Sequence, residues 1–337
     1  MRISVEEWSP DYGGELDLGG PEELTAESVD TKVESRAWAP LDPGATPGLG
    51  ERPLAFVDGT RRIDARLYLS LNGERPLPGI AASVGVGAVV CDPAPAGRDG
   101  RRGPLWWAPR RAQVGAALVE RYLACGGGTE ARLPAGATLA YRSLPVPGQA
   151  LEDMVLAVHN EMRSGEAVLA QELAGGDHLV FVDGPLAVMR PGPQEIIGVI
   201  KAHHRRYLAS DEEGVVSELG CGQRTPLFTF GGVRSRYSWY LRLCRPGADA
   251  HGWHGIVRCE APAAIPVERV AALADASAAT LPAFASLPGW DPRAPQNLVP
   301  VAGLEKRLRH LLGERDLVLR MIKSAAHRAN AGGLPAA

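Results

Sequence analysis

Aromatic residues make up only 6% of the chain and lysine is scarce, whereas glycine (40) and proline (28) abound. No run of 18 apolar residues occurs, so no segment is expected to span a bilayer. The five cysteines (Cys91, Cys125, Cys221, Cys244 and Cys259) are widely spaced and form no C-x-x-C pair, which argues against structural zinc and a disulfide framework. Met1–Trp8 lacks the basic-then-apolar pattern of a secretion signal, and a reducing cytoplasm is the expected location. A G-x-x-x-x-G-K phosphate loop is also missing, so the chain should not hydrolyse ATP itself. What is present is ordinary for a globular protein with a sizeable core: 337 residues, 45% apolar and 22% charged.

The net charge of −3 hides an asymmetry. Residues 1–50 carry eleven acidic side chains against three basic ones, which leaves the remainder at +5. Arginine pairs at Arg61-Arg62, Arg101-Arg102, Arg110-Arg111 and Arg205-Arg206 suit phosphate contacts, or equally a solvated surface. The first fifty residues read as a short strand near Ile3–Trp8 and then irregular acidic segments rich in Gly and Pro. They would form a docking arm, a cover over the basic face, or a disordered tail.

Regular order is expected from Arg52 onward. Leu54–Val57 is a short apolar strand that ends in Asp58-Gly59-Thr60, read as a tight turn. Ile63–Leu71 and Gly79–Val90 follow as strands of an antiparallel meander. A Gly/Pro/Arg-rich loop with Trp106-Trp107 leads to Gln113–Cys125, whose spacing predicts a helix stopped by Gly126-Gly127-Gly128. Residues Gly148–Leu173 have clear helical periodicity, with a bend expected at Gly165. His178–Val182 is a second buried strand closed by Asp183-Gly184-Pro185, and Glu195–Lys201 is a third. Ser238–Leu243 and Gly255–Glu260 read as hairpin arms, and helices are expected at Val267–Leu281 and Val301–Lys323. Strands, then a helix, then alternating elements indicate an α/β fold with helices on the faces of a mixed sheet.

An aspartate at the end of an apolar strand is costly unless something compensates its charge. Two of them on neighbouring strands would repel, and a divalent cation resolves the conflict. Carboxylate oxygens suit Mg²⁺ or Mn²⁺, and such ions can promote phosphodiester hydrolysis. The competing reading is that Asp58 and Asp183 only cap turns, since Asp-Gly is a common turn dipeptide.

Phe56-Val57-Asp58-Gly59-Thr60, Leu179-Val180-Phe181-Val182-Asp183-Gly184-Pro185-Leu186 and Ile196-Ile197-Gly198-Val199-Ile200-Lys201 occur in that order. As an ordered set they resemble the motifs of the NurA family, DNA-end-processing nucleases that work with the hexameric HerA ATPase. The likeness spans residues 52 to 323. It implies a ribonuclease-H-like mixed sheet flanked by helices, with DNA-end hydrolysis by a water that Mn²⁺ or Mg²⁺ activates. It also implies a HerA-type ring as partner and a homodimer. The domain plan becomes 1–50 as an acidic Pro/Gly-rich N-terminal region, 51–325 as the nuclease domain and 326–337 as a flexible tail.

The implied site combines Asp58, a glutamate on the preceding helix, Asp183 and a C-terminal ligand. Glu166 is the helical choice, with Glu161 and Glu172 as alternatives. Where relatives carry a histidine or aspartate near the last helix this chain has Gly303, so Asn297 or Glu305 would substitute; His310 reads as a surface residue. Lys201 would hold or neutralise a phosphate, and His203, His204, Arg205 and Arg206 would line the DNA backbone. Metal binding at His251-Gly252-Trp253-His254 is the minor reading, and Trp239 reads as core or as a base-stacking platform. The missing histidine keeps a rival open, a non-catalytic NurA-like adaptor that scaffolds the ring.

Overall fold

The strand that begins at Leu54 does not stop at Asp58. The computed structural model describes residues 2–5, 29–35, 37–44, 52–70, 75–91, 112–133, 139–186, 192–203, 207–230, 236–247, 250–287, 289 and 291–331. After β1 (Arg2–Val5), strand β2 runs unbroken over Leu54–Ser70, paired with antiparallel β3 (Leu77–Cys91) from Leu54↔Cys91 to Leu69↔Leu77. The turn expected at Asp58-Gly59-Thr60 is therefore strand. Gly59 has no positive φ, and its N–H is engaged by the Glu166 carboxylate rather than by a turn. A register shift between Ile63 and Ala65 moves the alternation by one, so Phe56 before it and Leu67 after it lie on the same face.

Gln113–Cys125 is also corrected, from helix to strand. It is β4 (Ala112–Cys125), antiparallel to β3. Tyr122 and Ala124 pack on one face and Leu123 and Cys125 on the other. Only these last residues are buried on both faces, and Leu118 is exposed, so the strand shows no period-two alternation and its spacing imitates a helix.

The other strands are β5 (Arg142–Pro145), β6 (Leu179–Asp183), β7 (Ile196–Ile200), β8 (Phe228–Phe230), β9 (Arg236–Arg242) and β10 (Ile256–Pro262). They join a ten-stranded mixed sheet in the order β5-β4-β3-β2-β6-β7-β10-β9-β8, with β1 on the far end of β2. Strands β2, β6 and β7 are mutually parallel, and β9 and β10 form the expected antiparallel pair.

Helices cover both faces. Helix α1 (Leu151–Ala174) runs continuously through Gly165 and lays Met154, Val155, Val158 and Met162 on β3 and β4. Asp153 Oδ2 accepts the Ala150 N–H at 3.1 Å and caps its start. Helix α2 (Ser210–Glu218), not foreseen from the sequence, covers Tyr240 and Ile256 through Val216. On the opposite face lie α3 (Val267–Thr280), a 3-10 turn (Leu281–Phe284), α4 (Val299–Leu311) and α5 (Arg315–Ala331). The helix expected over Val301–Lys323 is thus two helices. Gly313, at φ 86°, adopts a backbone conformation that L side chains resist, and the chain turns there. Helix α5 continues to Ala331, past the boundary expected at 325.

Residues 29–35 and 37–44 bond to the β8 side of the sheet. Asp30 and Leu41 bridge to Thr229 and Arg224, and both Glu34 oxygens accept from the Arg224 guanidinium at 2.7 and 2.9 Å. Among the described residues no helix is long and apolar enough to cross a membrane.

Leu304 of α4 is fully buried in the core that joins α3, α4 and the central strands. Leu304→Ala is expected to destabilise the fold by about 2–5 kcal/mol, measured by urea unfolding. A cost below about 1 kcal/mol would contradict the packing of α4 on this sheet.

Candidate metal centre

Pairing fixes which side chains meet. Strand β2 runs parallel to β6 with Phe56 beside Phe181 and Val57 beside Val182, so Asp58 and Asp183 are the next residues on adjoining strands. Both follow the parity of Phe56 and Phe181, whose rings stack 5.3 Å apart on the α4 face. Helix α4 rests on that face through Val301, Leu304 and Leu308, and Glu305 reaches the two strand positions. One carboxylate oxygen from each of Asp58, Asp183 and Glu305 lies within 4.8 Å of the others.

Charge compensation separates Asp58 from its neighbours. Lys201 Nζ donates to Asp183 Oδ2 at 2.7 Å, and the Arg293 guanidinium forks onto both Glu305 oxygens at 2.8 Å each. Arg163 Nη1 donates to Glu166 Oε2 at 2.9 Å. Asp58 has no such partner among the described residues, and its Oδ2 is buried without a hydrogen bond. Burial, then Asp183, Glu166 and Glu305, push the Asp58 carboxyl well above the usual carboxylate range, and Lys201 only partly opposes them. Burial likewise raises Glu166 to about 7, against the pull of Arg163. For Glu305 burial works upward too, but Arg293, with Arg309 and Lys201, holds the carboxyl below its ordinary value.

This donor set fits a divalent metal. Its three anionic oxygens are those of a hard-cation site, and the orphaned Asp58 Oδ2 is the kind of buried acceptor that a cation satisfies. Asp58, Asp183 and Glu305 are the residues that would hold the ion.

Glu166 stands at the fringe of this group. It is buried on α1, which covers the other face, and it accepts the Gly59 N–H beside the end of β6. A Cβ on Gly59 would lie 2.5 Å from Glu166 Oε1 and 2.7 Å from Met162 Cγ, so the missing side chain is what lets α1 come this close. Glu161 and Glu172 instead line a groove with Val86 and Leu118. Asn297 is fully buried, but its amide oxygen accepts from Lys201 at 2.6 Å, one bond away from the three carboxylates.

The His203 ring packs beside Tyr240 and Trp253 and bonds to the Ile256 carbonyl at 3.0 Å. His204, Arg205 and Arg206 lie outside the described residues, as do Trp106, Trp107, Arg101-Arg102 and Arg110-Arg111. Gly303 and His310 are exposed, and Trp239 is a core residue whose Nε1 donates to Ser277 Oγ at 3.0 Å. Among the described residues His251 and His254 gather no third metal-ligating group.

Sequence reasoning missed Asp291 and Arg293. Asp291 Oδ2 accepts from the Asn297 amide at 2.5 Å, and Arg293 clamps Glu305, so one short segment steadies both Lys201 and Glu305. Asp291-Pro292-Arg293 carries no periodic signal, and only the folded geometry identifies it.

These shifts set a pH dependence. Carboxyls whose folded pKa is raised favour the fold at low pH and cost stability as pH climbs from the ordinary carboxylate range through the folded value. The metal-free protein is therefore expected to lose stability between about pH 4 and 7 on account of Glu166 and Asp58. Asp58→Asn should raise the metal-free melting temperature at pH 8 and make Mn²⁺ far less stabilising, with a smaller change at pH 5. An Asp58→Asn protein that melts lower than wild type, yet gains as much from Mn²⁺, would contradict the cluster.

No family model matches the chain, and no curated protein matches it. Among solved structures the chain is similar to the crystal structure of the NurA nuclease from Sulfolobus solfataricus, at 9% identity and a TM-score of 0.47, over 88% of this chain and 89% of that one.

Proposed function

We propose that the chain is a metal-dependent deoxyribonuclease that hydrolyses phosphodiester bonds at DNA ends. The observation that carries this reading is the meeting of Asp58, Asp183 and Glu305 with the Asp58 charge uncompensated. Asp58, Asp183 and Glu305 would hold a divalent cation, Mn²⁺ or Mg²⁺, which would supply polarisation of a phosphoryl oxygen and a more nucleophilic water.

The chain's own groups orient and compensate charge. Lys201, held between Asp183 and Asn297, presents a cation toward an incoming phosphate. Arg293 fixes the direction of the Glu305 carboxylate and keeps it ionised. Glu166, raised to about 7, is poised to accept or return a proton near neutral pH from its place beside Gly59.

The ordered likeness of three motifs to the NurA family supports DNA ends as substrate, a ribonuclease-H-like plan for the core, a HerA-type ATPase ring as partner and a homodimer. Glu305 beside the two aspartates favours the nuclease over the adaptor, because it supplies an anionic oxygen where the histidine of relatives is missing.

The test is cleavage of linear single- and double-stranded DNA with Mn²⁺ or Mg²⁺, with and without the ring. Wild type should cut, and Asp58→Ala and Glu305→Gln should fall to background. Cutting that persists in Asp58→Ala would refute the site. A wild type inert under every condition, while still binding the ring, would turn the reading to the adaptor.

A further inference from the structure

Strand alternation splits the Arg61-Arg62 pair. Arg62 points to the α4 face, where its Nε donates to Asp64 Oδ1 at 2.8 Å. Its terminal nitrogens donate to the carbonyls of Gly313 and Leu312 at 2.7 and 3.2 Å, so Arg62 is committed to holding the end of α4. Arg61 points the other way, toward α1. It is half-buried and, among the described residues, has no hydrogen-bond or ion-pair partner.

Its surroundings on α1 are basic. His159 is half-buried, with a buried Nδ1 that no group satisfies. Burial first, then Arg61 and Arg163, push its pKa down to about 4, so the ring is neutral at physiological pH. Arg163 is already engaged by Glu166 and by the carbonyls of Asp183 and Pro185. A half-buried guanidinium without a counter-ion, next to an imidazole without a partner, is costly to maintain in the free protein. An anion with several acceptor oxygens would compensate the guanidinium and accept a hydrogen bond from Nε2, the His159 ring nitrogen that is not buried.

The place suits a substrate strand. One edge of β2 is paired with β3, and the other with β6 only over 54–57 and with β1 only over 67–70. Among the described residues no strand pairs with that second edge between them. Arg61 lies on this open stretch, about 10 Å along β2 from Asp58 at roughly 3.4 Å per residue.

We propose that Arg61 and His159 form a phosphate subsite, which grips a backbone phosphate of the DNA strand near the one held at the carboxylates. The assignment rests on the nuclease reading for its substrate, though not for its chemistry. The guanidinium supplies a charged fork and the neutral ring one N–H donor, and neither reads a base.

The experiment is fluorescence anisotropy of a fluorescein-labelled oligothymidine titrated with the full-length protein in EDTA across a salt series. Arg61→Ala should weaken binding about tenfold, and Arg61→Gln likewise, with the salt slope reduced by about 0.7. His159→Ala should weaken binding less and leave the slope unchanged, since its ring carries no charge. The Mn²⁺-induced rise in melting temperature should stay at the wild-type value in all three variants, which separates the subsite from the metal centre and from misfolding.

Wild-type affinity and slope in both Arg61 variants would overturn the proposal, as would no binding of the oligonucleotide by the wild type. Arg61-dependent binding by a protein that never cuts would keep the subsite and remove the nuclease reading. Metal-dependent cutting abolished by Asp58→Ala, with Arg61→Ala binding normally, would do the reverse.

Discussion

One buried carboxylate organises the account. Asp58 sits in the middle of a long strand, covered by protein, with acids on adjoining elements and no cation of its own. Isolated buried charges of this kind are expensive, and the cost is relieved either by taking up a proton or by a cation from outside the chain. The neighbouring acids show the contrast. Asp183, Glu305 and Glu166 each have a basic partner within hydrogen-bond distance.

The scaffold holds this imbalance in place from three sides. Parallel pairing of β2 with β6 sets Asp58 and Asp183 side by side, and the Phe56, Phe181 and Phe284 rings lock that register beneath them. The far end of α4 is tied down by Arg62 and Arg121, which donate to the carbonyls that its last turn leaves free. Near its start, the segment from Asp291 to Asn297 bonds to both Lys201 and Glu305. Helix α1 closes the other face, and it comes close enough for Glu166 to reach β2 only because residue 59 lacks a side chain. Groups that never touch a metal thus fix those that would, as in known metal sites.

The parts legible in the sequence are those with local signatures. Apolar runs ending in Asp58 and Asp183 mark the central strands, because burial on both faces leaves an unmistakable stretch of Val, Phe and Leu. Helix α1 and the β9–β10 pair were equally plain from their periodicity and bracketing turns. The misread elements share one cause, tertiary context overriding local pattern. Asp58-Gly59 has the composition of a turn but is held straight by pairing with β3, and Ala112–Cys125 has helical spacing but is held extended by pairing with β3 and β5. Glu305 could be named only as an alternative to Asn297, since which face of α4 meets the sheet depends on packing with distant strands. Arg293 and the split roles of Arg61 and Arg62 were invisible for the same reason.

The most direct test of the central claim is crystallographic. Crystals of the full chain soaked in Mn²⁺ should show an anomalous difference peak among the carboxylates of Asp58, Asp183 and Glu305, with Asp58 Oδ2 or its twin oxygen in the first coordination sphere. Soaked crystals with no peak there, or with one held by other residues while Asp58 keeps an unmet oxygen, would contradict it.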